Sequence, residues 1–321
     1  MLPIRHAAVA LLAFTAFSTV HAQAYPARAV RLIIPQSAGS ATDTVARLIG
    51  TRLSERFAQP VVHENRTGAG GVIGAELLVK SAPDGYTILI ISATHTVNPS
   101  LRKNLPYDSV NDFAPVTMAT AQPYVMLAHP SLPVKGVKEL VALARARPGQ
   151  INFASSGAGT LGHLGFEQLK TIANVNMVHV PYKSIGAAMT DIVGGHITLL
   201  YSTVVSGLPQ VNAGRLRALA VSSPKRAQVA PNVPTVAESG FPGYEVTGWY
   251  GIVAPAKTPP EIIGRLNSEI STILRLPAVT ERLAGDGSEA VGNTPEQFGA
   301  HIRAEIAKWA KVVKAAGITA D

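Results

Sequence analysis

The sequence contains no cysteine, which excludes disulfide cross-links, thiolate nucleophiles and metal sites built on sulfur. Stability has to come from burial. The chain has 321 residues, 47% hydrophobic and only 15% charged, long enough for two domains with large cores. Acidic residues are the minority charge, 20 Asp and Glu against 28 Lys and Arg, for a net charge of +8. That excess suits anionic ligands. The bases are scattered, however, and no basic stripe interleaved with aromatics occurs, so nucleic acid is not an expected partner. The chain also lacks a G-x-S-x-G nucleophile elbow and an H-E-x-x-H metal motif. Beyond the N-terminal segment, no apolar run approaches the length that spans a bilayer.

That segment, MLPIRHAAVALLAFTAFSTVHAQA, has a basic start at Arg5, an apolar stretch from Ala7 to Val20, and small residues Val20 and Ala22 at cleavage spacing. It reads as a secretory signal, residues 1–22, cut after Ala22. Its apolar run is too short for a membrane anchor, and with no cysteine after it there is no site for a lipid anchor.

The remainder of the chain is a succession of strand, small-residue loop and helix. AVRLIIP is a buried-strand run, QSAGSA a loop, and TDTVARLIGTRLSERF repeats apolar residues at helical spacing, with Thr42 or Asp43 as the expected N-cap. INFAS, SGAGT and the stripe Leu161, Leu164, Leu169 and Ile172 repeat the plan. NMVHVP, YKSIG and AAMTDIV repeat it again, closed by Gly194 and Gly195. Further strands are expected at Tyr86–Ser92, at 123–128, in RLRALAVS and in GWYGIVAP, and helices over most of the tail from Pro260 to Gly317. The alternation implies a mixed α/β architecture. Each such loop opens a helix whose first N–H groups are free and whose dipole favours negative charge, so these loops are candidate carboxylate sites. Hydroxyls at Ser40, Thr42, Ser155, Ser156, Thr160 and Ser184 are placed to help.

Gly157, Gly159 and Gly162 spell G-x-G-x-x-G, the dinucleotide spacing. The acidic residue that should occur about 20 positions on is missing from VHVPYKS, so a nucleotide is not expected. ENRTGAGGVIGAELL lacks the Walker lysine and reads as a tight turn opening a helix. His63, His95, His129, His163, His179, His196 and His301 are dispersed. His163 is the tempting one, either as a ligand contact or as a packing residue that hydrogen-bonds the loop backbone. Asp43, Glu64, Asp84 and Asp191 sit beside glycines or at cap positions, which points to turn and N-cap roles and not to acid–base pairs. No metal or other cofactor is expected.

The ordered set YPARAVRLIIPQSAGSATDTVAR, ENRTGAGGVIGAE, PDGYTILI, ASSGAGTLGHL, HVPYKSIGAAMTDIVGGH, RLRALAVSSPKR, PNVPTVAESGFPGYEV and WYGIVAPAKTPPEII resembles the Bug-type solute-binding proteins of tripartite tricarboxylate transporters. The resemblance implies an α/β, two-lobed periplasmic binding protein of type II, a flytrap in which each lobe is a mixed sheet flanked by helices. Lobe 1 would comprise 25–122 plus 247–321 and lobe 2 123–246, with hinges around Ala121 to Tyr124 and Gly243 to Thr247. It also implies a non-enzymatic, periplasmic, monomeric protein that hands a small organic carboxylate to membrane permease subunits. A sensory binding protein would share every one of these residues, whereas a secreted enzyme would need converging acid–base groups.

Carried over by position, the first loop offers Gly39, Ser40, Thr42 and Asp43. The other lobe offers Ser156, Gly157, Gly159, Thr160 and His163, then Gly186 and Ala187, with Thr94, Ser202 and Thr203 as lesser wall positions. The chain departs from the family pattern where an aromatic residue, a proline and paired glycines are usual, carrying Gln36, Ala38 and Gly39-Ser40. It also has Ser184 in place of a common glycine, and Thr198 in place of an acidic or amide residue. Gln36 and Ser40 imply added hydrogen bonding to a polar ligand.

Overall fold

A computed structural model describes residues 25–318; the expected signal segment and its cleavage site lie outside them. The first unit is built as the periodicity implies. Strand β1 (Val30–Ile34) is almost wholly buried and leads through a short loop into α1 (Ala41–Phe57), which turns Val45, Ile49 and Leu53 inward. The helix is capped differently from expectation. Ser40 is the N-cap, its Oγ accepting from Asp43 N at 3.2 Å, because the Asp43 carboxylate is already engaged by Gly39, Arg47 and Asn65.

Strand β2 (Val61–Asn65), a single 3-10 turn (Ala69–Gly71), α2 (Val72–Val79), β3 (Thr87–Ser92) and α3 (Thr94–Leu101) complete this stretch. The ENRTGAGG cluster is the expected turn, and a Cβ on Gly74 would come within 2.9 Å of Pro35, so α2 packs tightly at that glycine. Glu64 has no turn or cap role: it lies in β2 and pairs with Arg31 and Arg66. Asp84 does hold a turn, accepting from Tyr86 N at 3.0 Å.

The next strand, β4 (Phe113–Ala128), organises the molecule. Only its last third is evident in the sequence, since Pro115 and Pro123 punctuate it and two register shifts interrupt its alternation before Thr120. Strand β4 is followed by α4 (Val137–Ala146), β5 (Asn152–Ser155), α5 (Leu161–Ala173), β6 (Val178–Pro181), α6 (Ile185–Val193), β7 (Leu199–Thr203), α7 (Val204–Asn212) and β8 (Arg217–Val221). The chain then returns as β9 (Thr247–Pro255), α8 (Pro260–Leu274), α9 (Pro277–Gly285), the short β10 (Glu289–Ala290) and α10 (Pro295–Ala316). Asp191, expected at a turn or N-cap, is instead near the end of α6, where it accepts from Tyr182 Oη at 2.6 Å.

Two half-sheets result. In the first, β2, β1 and β3 run parallel and β9 lies antiparallel between β3 and β4. In the second, β6, β5 and β7 run parallel, and β7 and β8 pair antiparallel with the far end of β4. Strand β4 belongs to both. It pairs with β9 from Phe113 to Pro123 and with β7 from Tyr124 to Ala128. Apolar cores cover both half-sheets: Leu32, Ile90, Ile252 and Ile270 on one side of the first, Ile33, Leu89 and Phe298 on the other, Val125, Ala154 and Leu200 on one side of the second, and Met126, Phe153 and Leu199 on its other side, where Val97 of α3 and Trp309 of α10 join them. No helix among the described residues is long and apolar enough to cross a membrane.

Candidate functional site

The parallel strands β1, β3 and β5 each deliver a helix N-terminus to one cleft of about 250 Å³ between the two half-sheets. Gln36 and Thr42 line it from the β1–α1 connection, Ser92, Ala93 and Thr94 from β3–α3, and Ser156, Thr160 and Leu161 from β5–α5. Its floor is the pair of strands common to the region: Gln122 and Tyr124 of β4, with Gly248, Trp249 and Tyr250 of β9. Strand alternation sorts these residues, since side chains at 122 and 124 share one face and those at 121 and 123 the other. Gln122 pairs with Gly248 and Pro123 with Thr247.

No charged side chain lines this cleft. Its polarity comes from amides, hydroxyls and backbone. The N-cap residues Ala93 of α3 and Thr160 of α5 make no side-chain cap bond, which leaves first-turn N–H groups free toward the cavity. Three helix dipoles with their positive ends at one cavity make it a receptor for negative charge without a formal cation. The phenols of Tyr124 and Tyr250 are held neutral. Burial raises both pKa values, the neighbouring Tyr250 pushes Tyr124 further up, and Thr42 partly offsets the rise at Tyr250. They are therefore hydrogen-bond donors at any physiological pH.

Of the residues picked from sequence, Gln36, Thr42, Thr94, Ser156 and Thr160 line the cleft. A second group stands immediately behind it and shapes the loops. Gly39 N–H donates to Asp43 Oδ2 at 2.9 Å, and Ser40 caps α1. Burial pushes the Asp43 carboxyl upward, but Arg47, Asn65 and Gly39 outweigh it and hold the group down at about 2. In the β5–α5 loop, Gly157 and Gly159 have φ of 129° and 73°, the positive values that favour glycine. The Thr160 hydroxyl donates to Gly157 O at 2.8 Å, and Gly159 N–H donates to His163 Nδ1 at 3.1 Å. His163 is thus buried behind the loop, bonded to its backbone. A third group lies away from the lining. Gly186 and Ala187 sit exposed in the first turn of α6, capped by Ser184. Ser202 is fully buried in β7, and Thr203 caps α7.

Sequence reasoning missed the floor and, of the α3 turn, named only Thr94. Helix α3 is short, starts without a polar cap and contains Pro99. Gln122, Tyr124, Trp249 and Tyr250 fall within or beside the segments expected to be hinges, and a polar-aromatic cluster at both crossings was the available signal.

Three larger cavities lie elsewhere, of about 450, 410 and 390 Å³. The first includes Ala121, Pro123, Thr247 and Trp249, the opposite face of the same β4–β9 pair, along with Lys225, Glu245 and His301. None receives loops from the carboxyl ends of parallel strands, where ligands of open α/β sheets bind. The smaller cleft is the candidate site on that ground.

Comparison with known proteins agrees with this fold. Residues 45–318 match the model of the tripartite tricarboxylate transporter family receptor, TctC. The chain belongs to this family. Protein BugT of Bordetella pertussis is 40% identical over 302 residues, covering 93% of this chain and 92% of BugT. Among solved TctC-like structures, R. palustris Rpa4515 with adipate is 37% identical with a TM-score of 0.75, covering 92% of this chain and 99% of that one. MatC from Rhodopseudomonas palustris with bound malate is 31% identical, TM-score 0.72, covering 90% and 100%. This TctC chain therefore has the two-lobed periplasmic binding protein fold and is a member of a solute-receptor family.

Proposed function

We propose that this protein is the periplasmic receptor of a tripartite tricarboxylate-type transporter, closing on a small organic carboxylate and passing it to membrane permease subunits. The single observation carrying this reading is the uncharged cleft onto which three helix N-termini converge. Such a site favours an anion by dipoles and free N–H groups, and the anion leaves again because no fixed cation holds it. The relatives solved with adipate and malate support carboxylates as the ligand class.

In this reading the lobes are 25–122 with 247–321, and 123–246. Their hinges are Ala121 to Tyr124 and Gly243 to Thr247, in keeping with the change of β4 partner between Pro123 and Tyr124. Thr42 and Thr94 hold the ligand from one lobe, and Ser156 and Thr160 from the other. Gly39, Ser40, Asp43, Gly157, Gly159 and His163 shape the loops, and Gly186, Ala187, Ser202 and Thr203 approach only on closure. The protein acts as an exported monomer without enzymatic activity. Its large exposed apolar residues, Val62, Ile73, Val178 and Val229 among them, come from separate elements and suggest no dimer face.

Mass spectrometry of ligand retained through purification, followed by a thermal-shift screen of mono-, di- and tricarboxylates, tests the reading. A cognate acid at about 100 times its Kd should add about 2.7 kcal/mol of stability. A protein that retains nothing and is stabilised by no carboxylate is not such a receptor.

A further inference from the structure

Behind the β5–α5 loop lies a cluster of ionisable groups outside the cleft lining. His163 on α5 and His179 on β6 are stacked, ring centroids 3.8 Å apart and planes 12° from parallel, with Phe153 of β5 extending the stack. His163 Nδ1 accepts the Gly159 N–H at 3.1 Å. An imidazole nitrogen that accepts a hydrogen bond carries no proton, so His163 is in the Nε2–H tautomer. Its Nε2 faces Glu167 Oε1 at 3.6 Å, and Glu167 in turn is bound by Lys170 at 2.7 Å. His179 Nε2 meets Ser155 Oγ at 2.7 Å, and that hydroxyl accepts Gly157 N–H at 3.1 Å. The two rings thus grip the loop at two backbone amides, Gly157 through Ser155 and Gly159 directly.

We propose that the His163–His179 pair is a positioning device: neutral His163 fixes Gly159, and through it the Thr160 hydroxyl and the free N–H groups of α5, in the geometry that accepts the ligand's carboxylate. The proposal rests on the carboxylate reading above and adds to it a condition on protonation. A proton on His163 must enter at Nδ1, the atom that receives Gly159, so protonation expels that amide and releases the loop. The groups facing the His163 ring are His179 from β6 and Glu167 with Lys170 from its own helix. His179 itself is held neutral, its pKa pushed down to about 4, with burial the leading cause. Leu101 of α3 stands on the other side of Gly159, its Cδ1 2.4 Å from where a Cβ would stand.

The test compares the parent with His163→Asn, whose Oδ1 can replace Nδ1 as an acceptor but cannot titrate, and His163→Leu, which removes the acceptor. In nitrogen-15 NMR of the full chain without ligand, the parent ring should be the Nε2–H tautomer, and the Gly159 amide should shift with the same midpoint as the His163 ring. In His163→Asn that amide should keep its neutral-pH position and lose its titration. A His163 ring protonated at Nδ1 at neutral pH, or a Gly159 amide indifferent to the ring's titration, overturns the proposal; both are read on the parent alone should His163→Leu not fold. Calorimetry with malate and adipate at neutral pH should find His163→Leu weaker by about tenfold and His163→Asn within about threefold of the parent, as expected for one lost hydrogen bond to a charge-binding loop. Equal affinity in all three, with the NMR result as expected, would sink the positioning role. A parent that binds neither acid counts against the carboxylate reading instead, and the NMR arm still decides the hydrogen bond.

Discussion

At position 159 the chain has two separate reasons to carry glycine. The backbone there has φ of 73°, and a Cβ would stand 2.4 Å from Leu101 Cδ1. Gly159→Val therefore strains the loop and forces the Leu101 side chain aside, and should destabilise the protein by about 1–3 kcal/mol while abolishing ligand binding; chemical denaturation and calorimetry read the two effects. Thr160→Val is gentler. It removes the bond to Gly157 O and a hydroxyl of the cleft, and should weaken binding by about 1.5–3 kcal/mol with little change in melting temperature. A parent-like affinity in Thr160→Val would mean that this hydroxyl serves only the turn. Acid should loosen the molecule at residue level too. His179 and the fully buried His95 are each depressed to about 4, burial being the leading cause in both. Unfolded histidine takes up a proton near pH 6.5. The stability these groups provide is full above that pH and is lost as pH falls toward about 4. Denaturation midpoints should decline through that window, and His179→Asn should flatten part of the decline.

Among elements, the strand–loop–helix units at β1–α1 and β5–α5 are legible because a buried apolar run, a small-residue loop and a 3.6-residue stripe all occur within some thirty positions. Of the cleft residues, Thr42, Ser156 and Thr160 could be named from their loops, Gln36 and Thr94 only through the family resemblance. The floor could not. Gln122 and Gly248 become neighbours only through the register of β4 against β9, and no local pattern encodes the pairing of segments so far apart. Even the length of β4 is obscured, since its prolines and register shifts imitate a loop. The cap of α1 escapes sequence reasoning for a related reason: Ser40 and Asp43 are both good caps by type, and Arg47 and Asn65 decide between them. The two faces of the β4–β9 pair carry a prediction of their own. Closing the front cleft must open the crevice that holds Ala121 and Pro123, so a wedge there, Ala121→Phe, should favour the closed form and raise ligand affinity severalfold, about 1 kcal/mol. Calorimetry showing unchanged or weaker binding would argue against rotation about this strand pair.

On the scale of the whole molecule, closure should be visible as compaction. Small-angle scattering is expected to give a smaller radius of gyration with a verified ligand than without, because a ligand bridging both lobes stabilises the shut state to the extent that it binds that state better. No compaction with a bound ligand would remove the flytrap account and leave the site intact. The interleaved strand order has a kinetic consequence as well. β3 cannot acquire its antiparallel partner until β9 has been made, since Leu89 pairs with Val253 and Ile91 with Gly251. The whole of β5 to β8 is synthesised in between. Folding must wait on these long-range pairings, which are slow to form because chain closure precedes any reward. A chain ending at residue 246 should therefore show no cooperative unfolding transition, and the complete chain should refold slowly after dilution from denaturant. A polypeptide of this topology remains pliable until its last quarter arrives, and that delay would suit the export proposed above, in which a chain must be threaded across a membrane before it sets.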